Sequence, residues 1–216
     1  MNKRHVLIGL LFLLLLGPVG SSHAALIFSE NFNNAIGTLP LLDPRDQPVS
    51  EKWGLTNYYI GSPAVATGWT FAGQAYVAEN GTNTTDKAIL LNESPHGSMS
   101  TSINVSQGTT YLLTFDHWGD NRPGAPGYQF SVSINGSVLD TISRIYPESG
   151  PGVTESIYFT AASNNIVLSF LDSSSGQASA IIDNVNISSV PIPPTVWLLG
   201  SSLVGLVGLR RRFRKL

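Results

Sequence analysis

Tyr128-Gln129-Phe130-Ser131-Val132-Ser133-Ile134-Asn135-Gly136-Ser137-Val138-Leu139-Asp140-Thr141-Ile142 is the stretch that decides the fold. Phe130, Val132 and Ile134 alternate with polar residues, the period-2 pattern of a half-buried strand. Asn135-Gly136 supplies two residues that tolerate positive φ, the preferred centre of a type I′ hairpin turn. Two antiparallel strands joined by that turn are the expectation. Working outward, the same texture recurs. Strands are expected over Leu26–Phe32, Thr70–Ala78, Lys87–Leu91, Ser98–Val105, Thr110–Trp118, Tyr128–Ile134, Val138–Ser143, Val153–Thr160, Ile166–Leu171 and Ala180–Ile187. In Tyr111-Leu112-Leu113-Thr114-Phe115, the first, third and fifth residues share one face. Many short strands without intervening helices imply an all-β sandwich or jelly roll. Residues 33–68 show little alternation and contain Pro40, Pro44, Pro48 and Pro63, which predicts a long irregular excursion.

Both ends of the chain differ from this texture. Lys3 and Arg4 precede an apolar run from Val6 to Leu16, broken by Gly17-Pro18. Ser22-His23-Ala24 then places small residues where a signal peptidase reads, so residues 1–24 are expected to be a signal peptide cleaved after Ala24. At the other end, Val190-Pro191-Ile192-Pro193-Pro194 leads into an uncharged stretch, Thr195 to Leu209. Arg210, Arg211, Arg212, Arg214 and Lys215 follow. A helix over that stretch is roughly 22 Å long, short of the roughly 30 Å hydrocarbon core. Trp197 suits the membrane interface and the cationic cluster suits the cytoplasmic side, so a transmembrane helix is expected despite the length; a C-terminal core helix with a solvated basic end is the alternative.

The layout of that tail resembles the PEP-CTERM sorting signal of Gram-negative bacteria. Pro191, Pro193 and Pro194 match its proline motif, and Arg210, Arg211 and Arg212 its basic cluster. Ile192 stands where the glutamate of the motif usually is. The resemblance implies recognition by a membrane-embedded exosortase. It also implies export across the inner membrane, a transient membrane anchor, and delivery to the cell surface or extracellular matrix. Residues 190–216 form the sorting segment on this reading, and 25–189 the exported domain.

Trimming both ends changes the charge. Lys3, Arg4 and the five cationic residues of the tail leave five of the 12 Lys and Arg between residues 25 and 189, against all 14 Asp and Glu, a formal charge of −9. Nucleic acid and anionic lipid are disfavoured as partners, whereas cations remain open. Cysteine is absent, which excludes disulfides, thiolate metal sites and a cysteine nucleophile.

Phe28-Ser29-Glu30-Asn31-Phe32, Gly68-Trp69, Gly108 to Asp116 and Ala180 to Ile187 resemble elements of the galactose-binding-like β-sandwich, a fold that hosts many carbohydrate-binding modules. That fold frequently holds a structural calcium between its first and last strands, which points to Glu30 and Asp183. The alternative is that Asp183-Asn184 caps local backbone groups while Glu30 is solvated. A second constellation runs from Asp116 through His117, Trp118, Asp120, Asn121 and Arg122. Sugars stack their C–H faces on aromatic rings and offer hydroxyls to planar polar side chains. Trp118 with Asp120, Asn121 and Arg122 supplies those groups, and Trp69 and Tyr76 add aromatic surface; core packing of Trp118 and a surface Asp120–Arg122 ion pair are the alternatives. Asp116 and Asp120 also raise a glycosidase reading, which needs two carboxyls across a cleft. Neither a Gly-x-Ser-x-Gly elbow nor a His-Glu-x-x-His motif occurs. The expectation is a non-catalytic module binding carbohydrate or exopolysaccharide, with a ligand-free structural matrix protein as the alternative and a secreted glycoside hydrolase third.

Overall fold

The Asn135-Gly136 turn forms as its chemistry dictates. Asn135 has φ 51° and Gly136 φ 78°, the positive pair of a type I′ turn. The Asn135 side chain also accepts a hydrogen bond from the Val167 N–H at 2.7 Å, tying the turn to a neighbouring strand. A computed structural model describes residues 24–36, 64–80, 83–91, 96–119, 127–145, 152–174 and 179–191. Their strands lie in two antiparallel sheets, with no helix among the described residues.

The first sheet runs β3 (Ala75–Asn80), β4 (Asn83–Leu91), β11 (Ala180–Ser189), β6 (Thr110–Gly119) and β9 (Val153–Thr160). β1 (Leu26–Glu30) pairs beside the second half of β11. The second sheet runs β2 (Trp69–Ala72), β5 (Ser98–Asn104), β10 (Asn165–Asp172), β7 (Gly127–Ile134) and β8 (Ser137–Ile145). Alternation decides which side chains the sheets enclose. From β6 come Tyr111, Leu113, Phe115 and His117; from β7 come Tyr128, Phe130, Val132 and Ile134; all are buried. Phe115 meets Phe170 of β10 edge-on, with ring centres 5.1 Å apart. Each such fully buried side chain contributes about 1.5–3 kcal/mol of transfer free energy.

One expected strand is two. Thr70–Ala78 divides into β2 and β3, which belong to different sheets. The break falls at Gly73, whose φ is +66° and where a Cβ would collide with the carbonyl oxygen of His96. Only glycine lets the chain turn there and pass from one sheet to the other. Of the irregular excursion, residues 37–63 lie outside the described residues; its described ends meet as a bridge between Ile36 and Val65. Of the expected signal peptide, residues up to His23, and of the expected sorting segment, residues beyond Pro191, also lie outside them.

Along one edge the two sheets are joined by charge. β9 and β8 each point a charged side chain inward, Glu155 and Arg144, and Arg144 Nη2 donates to Glu155 Oε1 at 2.6 Å. Inward charges on edge strands oppose pairing with another chain.

Candidate functional site

Period 2 also gives the first sheet an outer face, and the register arranges its side chains in rows. At one end Tyr76, Leu90, Ile181 and Trp118 stand opposite one another on β3, β4, β11 and β6. They form a small apolar cluster separate from the core. Trp118 is 7% exposed. Its ring lies against Gly152, where a Cβ would stand 3.0 Å from Cε3. Tyr76 is half-buried, and burial pushes its phenol pKa up. At the other end the row is Tyr158, Leu112, Ser188 and Leu26, on β9, β6, β11 and β1. Tyr158 is 65% exposed and Leu26 64%. Between these ends lie polar rows: Ser156, Thr114, Asn186 and Ser29, then Thr154, Asp116 and Asp183.

Asp116 organises the polar rows. Its Oδ1 accepts from the Thr154 hydroxyl at 2.5 Å, and its Oδ2 from Asn184 Nδ2 at 2.8 Å. Asn184 adopts φ 50° inside the irregularity that separates Asp183 from Asn186 in the β11–β6 register. An Asn tolerates that left-handed backbone better than most side chains. Its own N–H donates to Asp183 Oδ1 at 2.7 Å, and its carbonyl accepts from Asn186 Nδ2 at 2.8 Å. The result is a surface of hydroxyl, amide and carboxylate groups in fixed orientation, on the same face as the exposed Tyr158 ring two rows away.

Two further polar clusters lie off this face. His117 is fully buried. Its Nδ1 lies 2.9 Å from the Tyr128 hydroxyl and its Nε2 3.3 Å from Glu155 Oε1, with Phe115 and Phe130 against the ring. This places the ring inside the core. At the end of β10, the buried Asp172 accepts from the Ser174 N–H and hydroxyl, both at 2.9 Å, while His96 Nδ1 lies 3.4 Å from its Oδ1. Burial pushes the Asp172 pKa up, and its bonds from Ser174 and His96 pull it partly back. The carboxylate stands between serine and histidine. A serine nucleophile needs the imidazole beside its hydroxyl, so this is a latch between chain segments rather than a catalytic triad.

The expected site residues are dispersed. Trp69 lies in the core of the sandwich, 8% exposed, with its ring 5.3 Å from Phe32 and 6.0 Å from Phe28, which leaves no face for a sugar. Trp118 and Tyr76 do come together, at the apolar end of the outer face, but Trp118 is covered rather than presented as a platform. Asp120, Asn121 and Arg122 lie outside the described residues, as do Pro193, Pro194, Arg210, Arg211 and Arg212; Ala24 and Pro191 are described, at the ends of the described chain. Glu30 and Asp183 are on adjacent strands, with Glu30 opposite Val185. The Glu30 carboxylate accepts the Phe32 N–H at 2.8 Å, holding a turn in which Phe32 has φ 52°. Calcium takes six to eight oxygen ligands. Among the described residues no three acidic or histidine side chains gather around one point. Sequence reasoning missed Tyr158, Thr154, Asn184 and Asn186. The alternation of Thr154-Glu155-Ser156-Ile157-Tyr158-Phe159-Thr160 was visible, but not which of its faces looks outward.

No family model matches this chain, and no curated protein does. Among solved structures, the K1 cleaved adhesin domain of Lys-gingipain from Porphyromonas gingivalis is 9% identical, with a TM-score of 0.48, covering 77% of this chain and 98% of that one. The CBM22-1 xylan-binding domain of Paenibacillus barcinonensis Xyn10C is 13% identical, with a TM-score of 0.46, covering 80% and 99%. The CBM22-1 and GH10 modules of Clostridium thermocellum xylanase 10B are 21% identical at a TM-score of 0.43; the match covers 57% of this chain and 26% of that one.

Proposed function

We propose that the domain is a non-catalytic carbohydrate-binding module on a galactose-binding-like sandwich, and that its ligand sits on the outer face of the first sheet. The observation that carries this reading is the exposed Tyr158 ring on one face with the Asp116–Thr154–Asn184 set. A ring stacks on the apolar face of a sugar, and prearranged acceptors and donors take its hydroxyls at little ordering cost. Support for a binding role over hydrolysis comes from the carboxylates. Among the described residues, Asp116 and Asp183 face one another on neighbouring strands, with Asp183 4% exposed, rather than standing apart across a cleft; Asp120, the partner of Asp116 in the expected glycosidase pair, lies outside them. Glycan-array binding that Tyr158→Ala abolishes is the expected result; binding unaffected by that substitution refutes the site.

The burial of Trp69 and Trp118 favours a second reading, a structural surface protein without a ligand. It predicts no glycan binding at all, with the protein still held at the cell surface. In either case the proposed route is a signal peptide, inner-membrane anchoring by the tail, and exosortase processing into a surface or exopolysaccharide matrix. Replacing Arg210, Arg211 and Arg212 with Ala should leave the protein unprocessed, and unchanged maturation by mass spectrometry refutes the route.

A further inference from the structure

Resting on the reading of this face as a glycan site, we infer that its ligand is an uncharged polysaccharide laid across the strands and gripped over several sugar units. Two exposed apolar side chains among the described residues, Tyr158 on β9 and Leu26 on β1, end the same row, with β6 and β11 between them. Three inter-strand spacings separate their strands by roughly 14 Å. One sugar ring does not bridge that distance; an oligosaccharide does. The next row, Ser156, Thr114, Asn186 and Ser29, runs the same way across the same strands. Its hydroxyls and amide recur at each inter-strand step, so hydrogen bonds can repeat along a ligand that crosses the strands. A ligand lying along one strand would instead meet Tyr158 and leave Leu26 unused.

Charge selects among such polymers. On β1, β6, β9 and β11 the outward carboxylates are Asp116 and the largely buried Asp183, and neither Lys nor Arg faces outward from these four strands. A carboxylate accepts hydrogen bonds from sugar hydroxyls and repels a uronate or sulfate. The formal charge of −9 over residues 25–189 adds to that repulsion.

The test is titration of the full-length protein with disaccharides and hexasaccharides of neutral glucan, xylan, galactan and mannan, and with oligogalacturonates of the same lengths. At least one neutral hexasaccharide is expected to bind about tenfold or more tightly than its disaccharide. Leu26→Ser should remove that gain with length, bringing the hexasaccharide affinity to within about twofold of the disaccharide affinity of the same variant. Tyr158→Ala should weaken both, and the oligogalacturonates should not bind. Equal affinity for short and long neutral sugars, a length gain that survives Leu26→Ser, or oligogalacturonate binding of comparable strength overturns this inference while leaving the glycan site standing. Failure of every sugar to bind overturns the glycan site itself, and this inference with it.

Discussion

Replacing His117 with Ala should destabilise the sandwich far more than neutralising its partner Glu155. His117 is fully buried and its ring is enclosed by Phe115, Tyr128 and Phe130, with centres 5.3–5.9 Å away. Truncating a buried ring to a methyl group costs about 3–5 kcal/mol when the surroundings cannot collapse. The lost 2.9 Å bond to the Tyr128 hydroxyl adds about 1 kcal/mol. Glu155 stands differently. Its side chain is 25% exposed and that of Arg144 34%, so water screens their ion pair and its worth falls below about 1 kcal/mol. Glu155→Gln keeps the shape and an oxygen acceptor. Urea unfolding followed by tryptophan fluorescence, extrapolated linearly to water, should therefore give a loss of about 4 kcal/mol or more for His117→Ala and about 1 kcal/mol or less for Glu155→Gln. His117→Phe should fall between them, because it fills the space without the hydrogen bonds. Equal losses for the Ala and Gln variants refute this account, since they would place the energy in charge pairing rather than in packing.

Other outcomes follow from the same geometry. Gly73→Ala should destabilise by roughly 1–3 kcal/mol in the same assay, because the left-handed backbone and the His96 carbonyl both oppose a Cβ. Burial raises the Asp172 pKa above its ordinary 3.8, so the stability tied to its protonated form is present below that value and is lost as pH rises through the raised pKa. Asp172→Asn removes this titration, and the unfolding free energy of the wild type relative to the variant should fall between acid and neutral pH; a pH-independent difference counts against it. Chelation should leave the melting temperature unchanged if Glu30 and Asp183 serve only the N–H groups of Phe32 and Asn184, whereas a drop reversed by added calcium would establish the metal.

Much of the strand pattern was legible because it is local. Phe130, Val132 and Ile134 alternate, and Asn135-Gly136 turns the chain, whatever lies around them. The limits of that logic show at Thr70–Ala78. There the apolar content continues through Gly73, but the chain changes sheets because a close approach by His96, remote from any local pattern, admits no side chain. The candidate site was legible in composition and not in place. Aromatic and planar polar residues were recognised, yet Trp69 went to the core and Trp118 to a covered cluster, while Tyr158 took the exposed position.

By itself the sequence determined that this chain forms many short strands, carries its acidic residues between two differently built ends, and lacks every cysteine-based chemistry. Those properties depend on residue type and on spacing along the chain. Only the tertiary structure decided which of the two faces of each strand is enclosed, and which remote strands align their side chains into one surface. Alternation defines two faces and is symmetric between them. That symmetry is broken by the second sheet, which packs against one face of β6, β9 and β11 and leaves Asp116, Tyr158 and Asn186 on the other.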